Sequence, residues 1–289
     1  MRHRNSTAYA FALLCIVGVG PLSGCATAPL MESAALLDHA ELKPSDGVLT
    51  RTRQKTDKKS LLAVKSVYLA PTTLSRSAIS SGLKPEQAAL VANAIDRTLC
   101  SGLSRRFAVT ASEQNADVSV RVVITHLGAT NAAVAGTSAV LGIGGKAAGA
   151  ATGVPIPVPR LPFGLGSLSA EGRASTQIGQ QVGALAWARG ADFLTTQARA
   201  SEEGDAYALA SAFANDFAYL LVTGNDPIAD PSSGIPSLEA AGEYFGADPK
   251  QAACARFGKN PGIGGTLGGV VGLPPSWTDK GAGPARPRP

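Results

Sequence analysis

Side chains able to act as nucleophile, metal ligand or proton carrier are scarce in this chain. Histidine occurs only at His3, His39 and His126. That is too few, too scattered, for a histidine-based triad or for a metal site, whose donors must converge on one point. His126 ends an alternating stretch and reads as a strand-end residue satisfied by its neighbours. No Gly-x-Ser-x-Gly elbow occurs. Glu202-Glu203 stands in a turn and reads as solvated, not as a glycosidase pair, whose carboxylates must flank a cleft. Asp205 is better used as a helix cap. The run Gly142-Ile143-Gly144-Gly145-Lys146-Ala147 fits a dinucleotide fingerprint in letters alone. It has no strand-helix-strand frame and no acid at the right distance on a following strand. It is not a phosphate loop either, because alanine follows Lys146 and the first glycine is missing. The expectation is a chain with no catalytic residues, no metal and no diffusible cofactor.

Cysteine is the one informative chemical residue. Arg2 and Arg4 precede an apolar run from Ala8 to Gly20, which closes on Leu22-Ser23-Gly24-Cys25. Two cations, an apolar core too short to span a bilayer comfortably and small residues for a peptidase are the parts of a secretory signal. Leucine three residues ahead of a cysteine, with Ser23 and Gly24 between, resembles the lipobox of bacterial lipoproteins. That resemblance implies cleavage before Cys25, a diacylglyceryl group on its thiol and an N-acyl chain such as palmitate on the new terminus. Each buried methylene contributes about 0.8 kcal/mol, so two or three chains hold a protein at a membrane without a transmembrane helix. Ala26 follows the cysteine where an aspartate would stand in retained lipoproteins, which resembles the pattern exported to the outer membrane. Cys15 leaves with the signal, so Cys100 and Cys254 are the two thiols left in an oxidising compartment. A disulfide between them and two unrelated buried thiols are both open.

Charge excludes another class. Loss of Arg2 and Arg4 takes the formal charge from +5 to +3. A nucleic-acid footprint needs clustered Lys and Arg with stacking aromatics. The one cluster, Arg51, Arg53, Lys55, Lys58 and Lys59, reads as a solvated linker face, with loose attraction to anionic headgroups as the lesser account.

The elements that must position these residues follow from periodicity. Residues 1–24 are the signal and 25–60 a lipidated tether, with Leu36, Leu37 and Leu42 as a short docking patch. Val64 to Leu69 alternates and predicts a strand. Pro85 and Glu86 open a helix with Val91, Ile95, Leu99 and Leu103 on one stripe. Val118, Val120, Val122 and Ile124 alternate with polar residues as the clearest strand. Residues 168–176 and 182–189 predict a hairpin. Asp205 starts a second helix, with Leu209, Phe213 and Phe217 inward and Gly224 after it. Helices are also credible over 238–245, capped by Ser237, and from Asp248-Pro249 to Phe257. Two helices on one face of a mostly antiparallel sheet make an α+β two-layer sandwich over 61–223. Residues 224–289, rich in proline and glycine, read as a tail.

Residues 128–167 interrupt that layout. They hold nine glycines, nine alanines and four prolines, and their only charges are Lys146 and Arg160. Gly145, Gly149 and Gly153 recur every four residues, the spacing that lets helices approach closely. The segment is an insertion between strands, a self-association surface or a membrane-inserting element; the composition leaves all three open.

The segment Leu37-Asp38-His39-Ala40-Glu41-Leu42 soon after the lipid cysteine, then Lys65-Ser66-Val67-Tyr68-Leu69-Ala70-Pro71, resembles the lipoprotein family catalogued as domain of unknown function 3313, over residues 30–223. That family carries no established activity. The functional expectation is a non-enzymatic outer-membrane lipoprotein that binds or scaffolds another envelope component through 128–167. The alternative is a homo-oligomeric export or membrane-inserting assembly using the same segment. A third class, a cell-wall or lipid hydrolase, would need a pocket the sequence does not advertise.

Overall fold

Thr50-Arg51-Thr52-Arg53 alternates a β-branched residue with a long cation, and a period of two is strand chemistry even where every residue is polar. The computed structural model describes residues 28–33, 36–79, 81–152, 160–230 and 246–281, with the backbone alone from 144 to 152. In it Lys43–Pro44 (β1) pairs with Thr50–Thr56 (β2). Strand β2 in turn lies antiparallel to the hairpin, Thr50 opposite Arg189 and Thr56 opposite Gly183. Thr50 and Thr52 are buried while Arg51 and Arg53 are exposed. Residues 43–44 and 50–56 of the expected tether, 25–60, are therefore sheet, because Arg51 and Arg53 occupy the outward positions of a strand.

Asp57 caps a short helix, Lys58–Ala63 (α1), by accepting from Ser60 N at 3.0 Å. Ser66–Leu69 (β3), Thr73–Leu74 (β4) and the single turn Arg76–Ile79 (α2) lead to Pro85–Leu103 (α3). Val91, Ile95, Leu99 and Leu103, spaced by four, are all fully buried. Ala108–Thr110 (β5) and Val118–Gly128 (β6) follow, then Ala132–Thr152 (α4). Ser167–Thr176 (β7) and Gln181–Gly190 (β8) form the expected hairpin, and Gly204–Thr223 (α5) packs on it. Gly224 ends α5 at φ +70°, a left-handed conformation glycine adopts without a Cβ penalty.

The sheet runs β1-β2-β8-β7-β6-β3-β5, with β4 also on β6. Strand β3 is parallel to β5 and β6, and β4 is parallel to β6; the other pairs are antiparallel. Helices α3 and α5 lie side by side on one face, which makes the α+β two-layer sandwich. Between the layers Trp187 meets Phe213 edge-on at 5.9 Å, and Phe213 stacks on Phe217 at 6.0 Å. Burying each such side chain contributes about 1.5–3 kcal/mol.

Residues 246–281 are not a tail. A 3-10 helix, Ala252–Phe257, and two further helices, Gly262–Val270 (α6) and Pro275–Thr278 (α7), strap across the helix layer. Cys254 is disulfide-bonded to Cys100 of α3, with Cα atoms 5.8 Å apart. Asn93 donates to Phe257 O at 3.0 Å. Gln251 serves the free edge of β5, accepting from Val109 N at 2.6 Å and donating to Phe107 O at 2.7 Å. At the far end Asp279 is buried against Arg97 and accepts from Tyr207 Oη at 2.6 Å. Proline and glycine content misleads here because the strap's stability comes from these side-chain ties, not from periodicity. The helix expected over 238–245 lies outside the described residues.

Candidate interaction site

The glycine-alanine segment leaves the sheet where β6 ends and returns where β7 begins, and its two ends are clamped to the start of α5. Asp205, expected as a cap, has another task. Its carboxylate is buried within the first turn of α5 and takes Arg160 as a two-pronged partner, Nη1 to Oδ1 at 2.6 Å and Nη2 to Oδ2 at 3.2 Å. Oδ2 also accepts from Gly166 N at 2.7 Å, while Asp205 N donates to Thr130 Oγ1 at 3.2 Å. A carboxylate suits the positive end of a helix, and the fork geometry of arginine satisfies both its oxygens. Further ties close the base: Thr130 N to Glu202 O at 2.7 Å, Asn131 N to Gly164 O at 2.8 Å and Arg160 N to Phe193 O at 3.1 Å.

Between those ends the chain is helical. Asn131 caps α4 by accepting from Val134 N at 3.1 Å, and Ser138 Oγ accepts from Leu161 N at 3.1 Å. Helix α4 runs 21 residues, Ala132–Thr152, a length of about 30 Å at 1.5 Å per residue. Gly145 and Gly149 are part of its backbone. Gly153, like Pro155, Pro157 and Pro159, lies outside the described residues. The C-terminal strap packs on the same helix, since Gly272 abuts Ala139 and its carbonyl accepts from Ala200 N at 2.9 Å. Among the described residues no helix is long and apolar enough to cross a membrane.

On the opposite face of the sheet lies the N-terminal segment. Leu22, Ser23, Gly24 and Cys25 are outside the described residues; the chain is first described at Ala28, which is buried. Ser169 Oγ donates to Pro29 O at 2.6 Å, and Leu36, Leu37 and Leu42 pack on Ala184 and Ala186 of β8. Under this segment sits Glu171, 0% exposed. It accepts from Ser33 N at 3.1 Å and faces His39 Nε2 at 3.2 Å. Burial pushes its carboxyl up to about 7; the Ser33 N–H and His39 oppose that rise and Glu32 adds to it. Arg173 donates to Leu36 O at 3.2 Å, completing the attachment.

Three further acids make structural contacts. Asp96 is pushed up to about 7 by burial and accepts from Thr72 N and Oγ1 at 2.9 and 2.6 Å. Asp216 is pushed up to about 6 by burial and accepts from Trp187 Nε1 at 2.8 Å. Glu203, expected to be solvated, is instead buried and accepts from Gln87 Nε2 at 2.7 Å, because it closes the junction of α3 and α5. His126 stands against Ser167 Oγ at 3.2 Å, and burial lowers its pKa. A cleft of about 420 Å³ opens at the far end of the sheet from α4, between Glu113, Gln114, Arg121, Ser175 and Gln177. Its one close ion pair, Arg121 to Glu113 at 2.6 Å, is exposed. Among the described residues no group of three or more His, Cys, Asp or Glu is placed to hold a metal ion. Sequence reasoning missed Arg160 and Glu171 as organising residues. For Arg160 a signal existed, a lone cation in an apolar segment that must find a carboxylate if buried.

The family model described as "Protein of unknown function (DUF3313)" matches residues 32–217. That range takes in the N-terminal segment from Glu32, the sheet, the arm and most of α5. A comparison with curated proteins finds no match. Among solved structures the chain is similar to a PelC dodecamer from Paraburkholderia phytofirmans, at 10% identity and a TM-score of 0.35, covering 61% of this chain and 99% of that one. A point variant of PelC from the same organism, also a dodecamer, is similar at 9% identity and a TM-score of 0.32, covering 61% of this chain and 98% of that one.

Proposed function

The chain belongs to the DUF3313 family, and we propose that it is a non-enzymatic lipoprotein held at the outer membrane by acyl chains on Cys25. Its α/β domain binds or scaffolds another component of the envelope through the arm at 128–167. The observation that carries this reading is the clamp at the arm's base. A buried Arg160–Asp205 pair and main-chain ties on both sides hold α4 as a defined projection. Burying two charges is costly unless their geometry is excellent, and here that cost supports an element outside the core. The acids with raised pKa values fit the non-enzymatic part of the reading: Asp96, Glu171 and Asp216 are each occupied by a structural partner.

The test uses the arm's own geometry. Asn131 is hydrogen-bonded to Gly164, four residues past Arg160, so residues 132–159, none of which belongs to the apolar core clusters, can be replaced by a Gly-Ser linker that spans from Asn131 to Arg160. Crosslinking in the intact envelope should then lose at least one partner band, and intact mass should show acyl chains on a cleaved Cys25. A partner set and a detergent-extracted particle size both unchanged by the replacement would overturn the role of the arm.

A further inference from the structure

The exposed side chains at the arm's end of the molecule are apolar in a pattern the core does not require. On α4, Val140 and Leu141 are more than half exposed, and on α6 so are Ile263 and Leu267. Trp277, on α7 next to α6, is 65% exposed. Gly272, two residues past the end of α6, meets Ala139 of α4, so the chain that follows α6 touches α4 beside Val140. From Pro261 to Thr278 the sequence has no charged residue at all.

From this we infer that the paired outer surfaces of α4 and α6, with Trp277, form a membrane-contacting face that lies on the lipid surface without spanning it. The location of the N-terminus selects this occupant. Pro29 is held by Ser169, two residues from the start of β7 and opposite the end of β6. That is the end of the sheet from which α4 departs. Three residues span at most about 10 Å, which bounds how far Cys25 can lie from Ala28 and from this end of the sheet. An acylated Cys25 brings that end against the bilayer whatever else the domain does, and apolar helices with an exposed tryptophan are the surface chemistry suited to the interface. A second protein copy would be expected to meet complementary charge at the rim, and across these segments the one charged residue is Lys146. The inference rests on the lipoprotein reading for proximity to the bilayer, and names the lipid surface as the envelope component the arm meets.

The two tryptophans make the test direct. Trp187 is fully buried and Trp277 exposed, so quenching by lipid reports Trp277 alone. The full chain is extracted in mild detergent and reconstituted into phosphatidylethanolamine and phosphatidylglycerol vesicles carrying brominated acyl chains. Emission should fall about twofold and shift blue as Trp277 enters the interface. Trp277→Phe should abolish the quenchable part. Ile263→Glu with Leu267→Glu, both at exposed positions, should restore emission while the acylated chain still floats with the vesicles. A wild-type chain that floats through an acylated Cys25 yet keeps Trp277 unquenched overturns the face and leaves the anchor standing. A chain whose mass shows no acyl group but whose Trp277 is quenched keeps the face and removes the anchor; one with neither acyl group nor quenching removes both. A blue shift that depends on protein concentration in detergent, without quenching by brominated lipid, assigns the face to a second copy and overturns the proposal.

Discussion

The helix side of the sheet and its outer face carry their attachments by different chemistry. On the helix side the C-terminal strap is bonded covalently through Cys100–Cys254 and locked by the buried pair Arg97–Asp279, and the arm is locked by Arg160–Asp205. On the outer face the N-terminal segment rests on small alanines, single hydrogen bonds and one titratable contact, His39 with Glu171. The first set is a covalent bond and two buried ion pairs; the second includes a carboxyl, Glu171, that burial pushes up to about 7. The difference lies in the partners available. Helices α3 and α5 offer long side chains that reach out to a strap, whereas β8 turns only Ala184 and Ala186 toward Leu36, Leu37 and Leu42.

The largest expected effect breaks the covalent side. Cys100 and Cys254 close a loop of 154 residues, and the chain-entropy model puts the stabilisation at about 5 kcal/mol. Cys100→Ala with Cys254→Ala should lower the unfolding free energy by that amount, read as a lower denaturant midpoint, and expose residues 246–281 to protease before the core unfolds. An unchanged midpoint in the double variant, or in wild type under reductant, would show that the ion pair and the hydrogen bonds of Asn93 and Gln251 hold the strap without the disulfide.

Next comes the arm. Asp205→Leu leaves Arg160 buried without a partner, a loss of about 3–5 kcal/mol, whereas adding Arg160→Met removes both charges and should recover most of it. Chemical denaturation of the singles and the double closes the cycle. A loss in the double equal to the sum of the two single losses would mean that the pair is not coupled and that the main-chain ties at Thr130 and Asn131 hold the base.

Two positions on β7, three residues apart and on opposite faces, sharpen the contrast. Gly172 faces inward and touches the ring of Phe217, so Gly172→Ala forces the ring to move at about 1–3 kcal/mol. Ser169 faces outward and holds Pro29, so Ser169→Ala should cost about 1 kcal/mol and free residues 28–33. Limited proteolysis separates the two: the first variant should keep its N-terminal segment in place, the second should release it. Release in both, or in neither, would erase the distinction between the faces.

The same contrast explains what could be read from the sequence. Val91, Ile95, Leu99 and Leu103, or Val118 to Ile124, announce themselves because local periodicity and tertiary burial agree. Strand β2 escaped because its cations dominated the reading, although Thr50 and Thr52 carried the period of two. Helix α4 was legible as a glycine spacing but not as a helix, since glycine weakens the local preference and packing at Ala135 and Ser138 supplies what is missing. The straps were hidden for another reason: Arg97 with Asp279 and Asp205 with Arg160 are long-range pairs, and no local pattern marks which of twenty-one acids will be buried.

The smallest expected effect concerns Glu171 and appears as a pH profile. Its carboxyl is raised from 4.5 to about 7 in the folded protein. A group raised in this way binds a proton more tightly when folded, so its contribution is fully present below the unfolded value and is lost as pH rises through the folded one. Asp96 and Asp216 have the same sign, raised to about 7 and about 6, but they lie among the helices, away from the N-terminal segment. Wild-type Tm should therefore fall by a few degrees between about pH 5 and pH 8. Glu171→Gln, neutral throughout, should flatten only the part belonging to the outer face. The groups facing Glu171, namely His39 and Glu32 on the segment, stay in place in that variant. Proteolysis of residues 28–42 should become faster with rising pH in wild type and stay constant in Glu171→Gln. If both proteins gave the same rising profile, the titratable contact would not hold the segment, and the outer face would depend on Ser169 and the alanine packing instead.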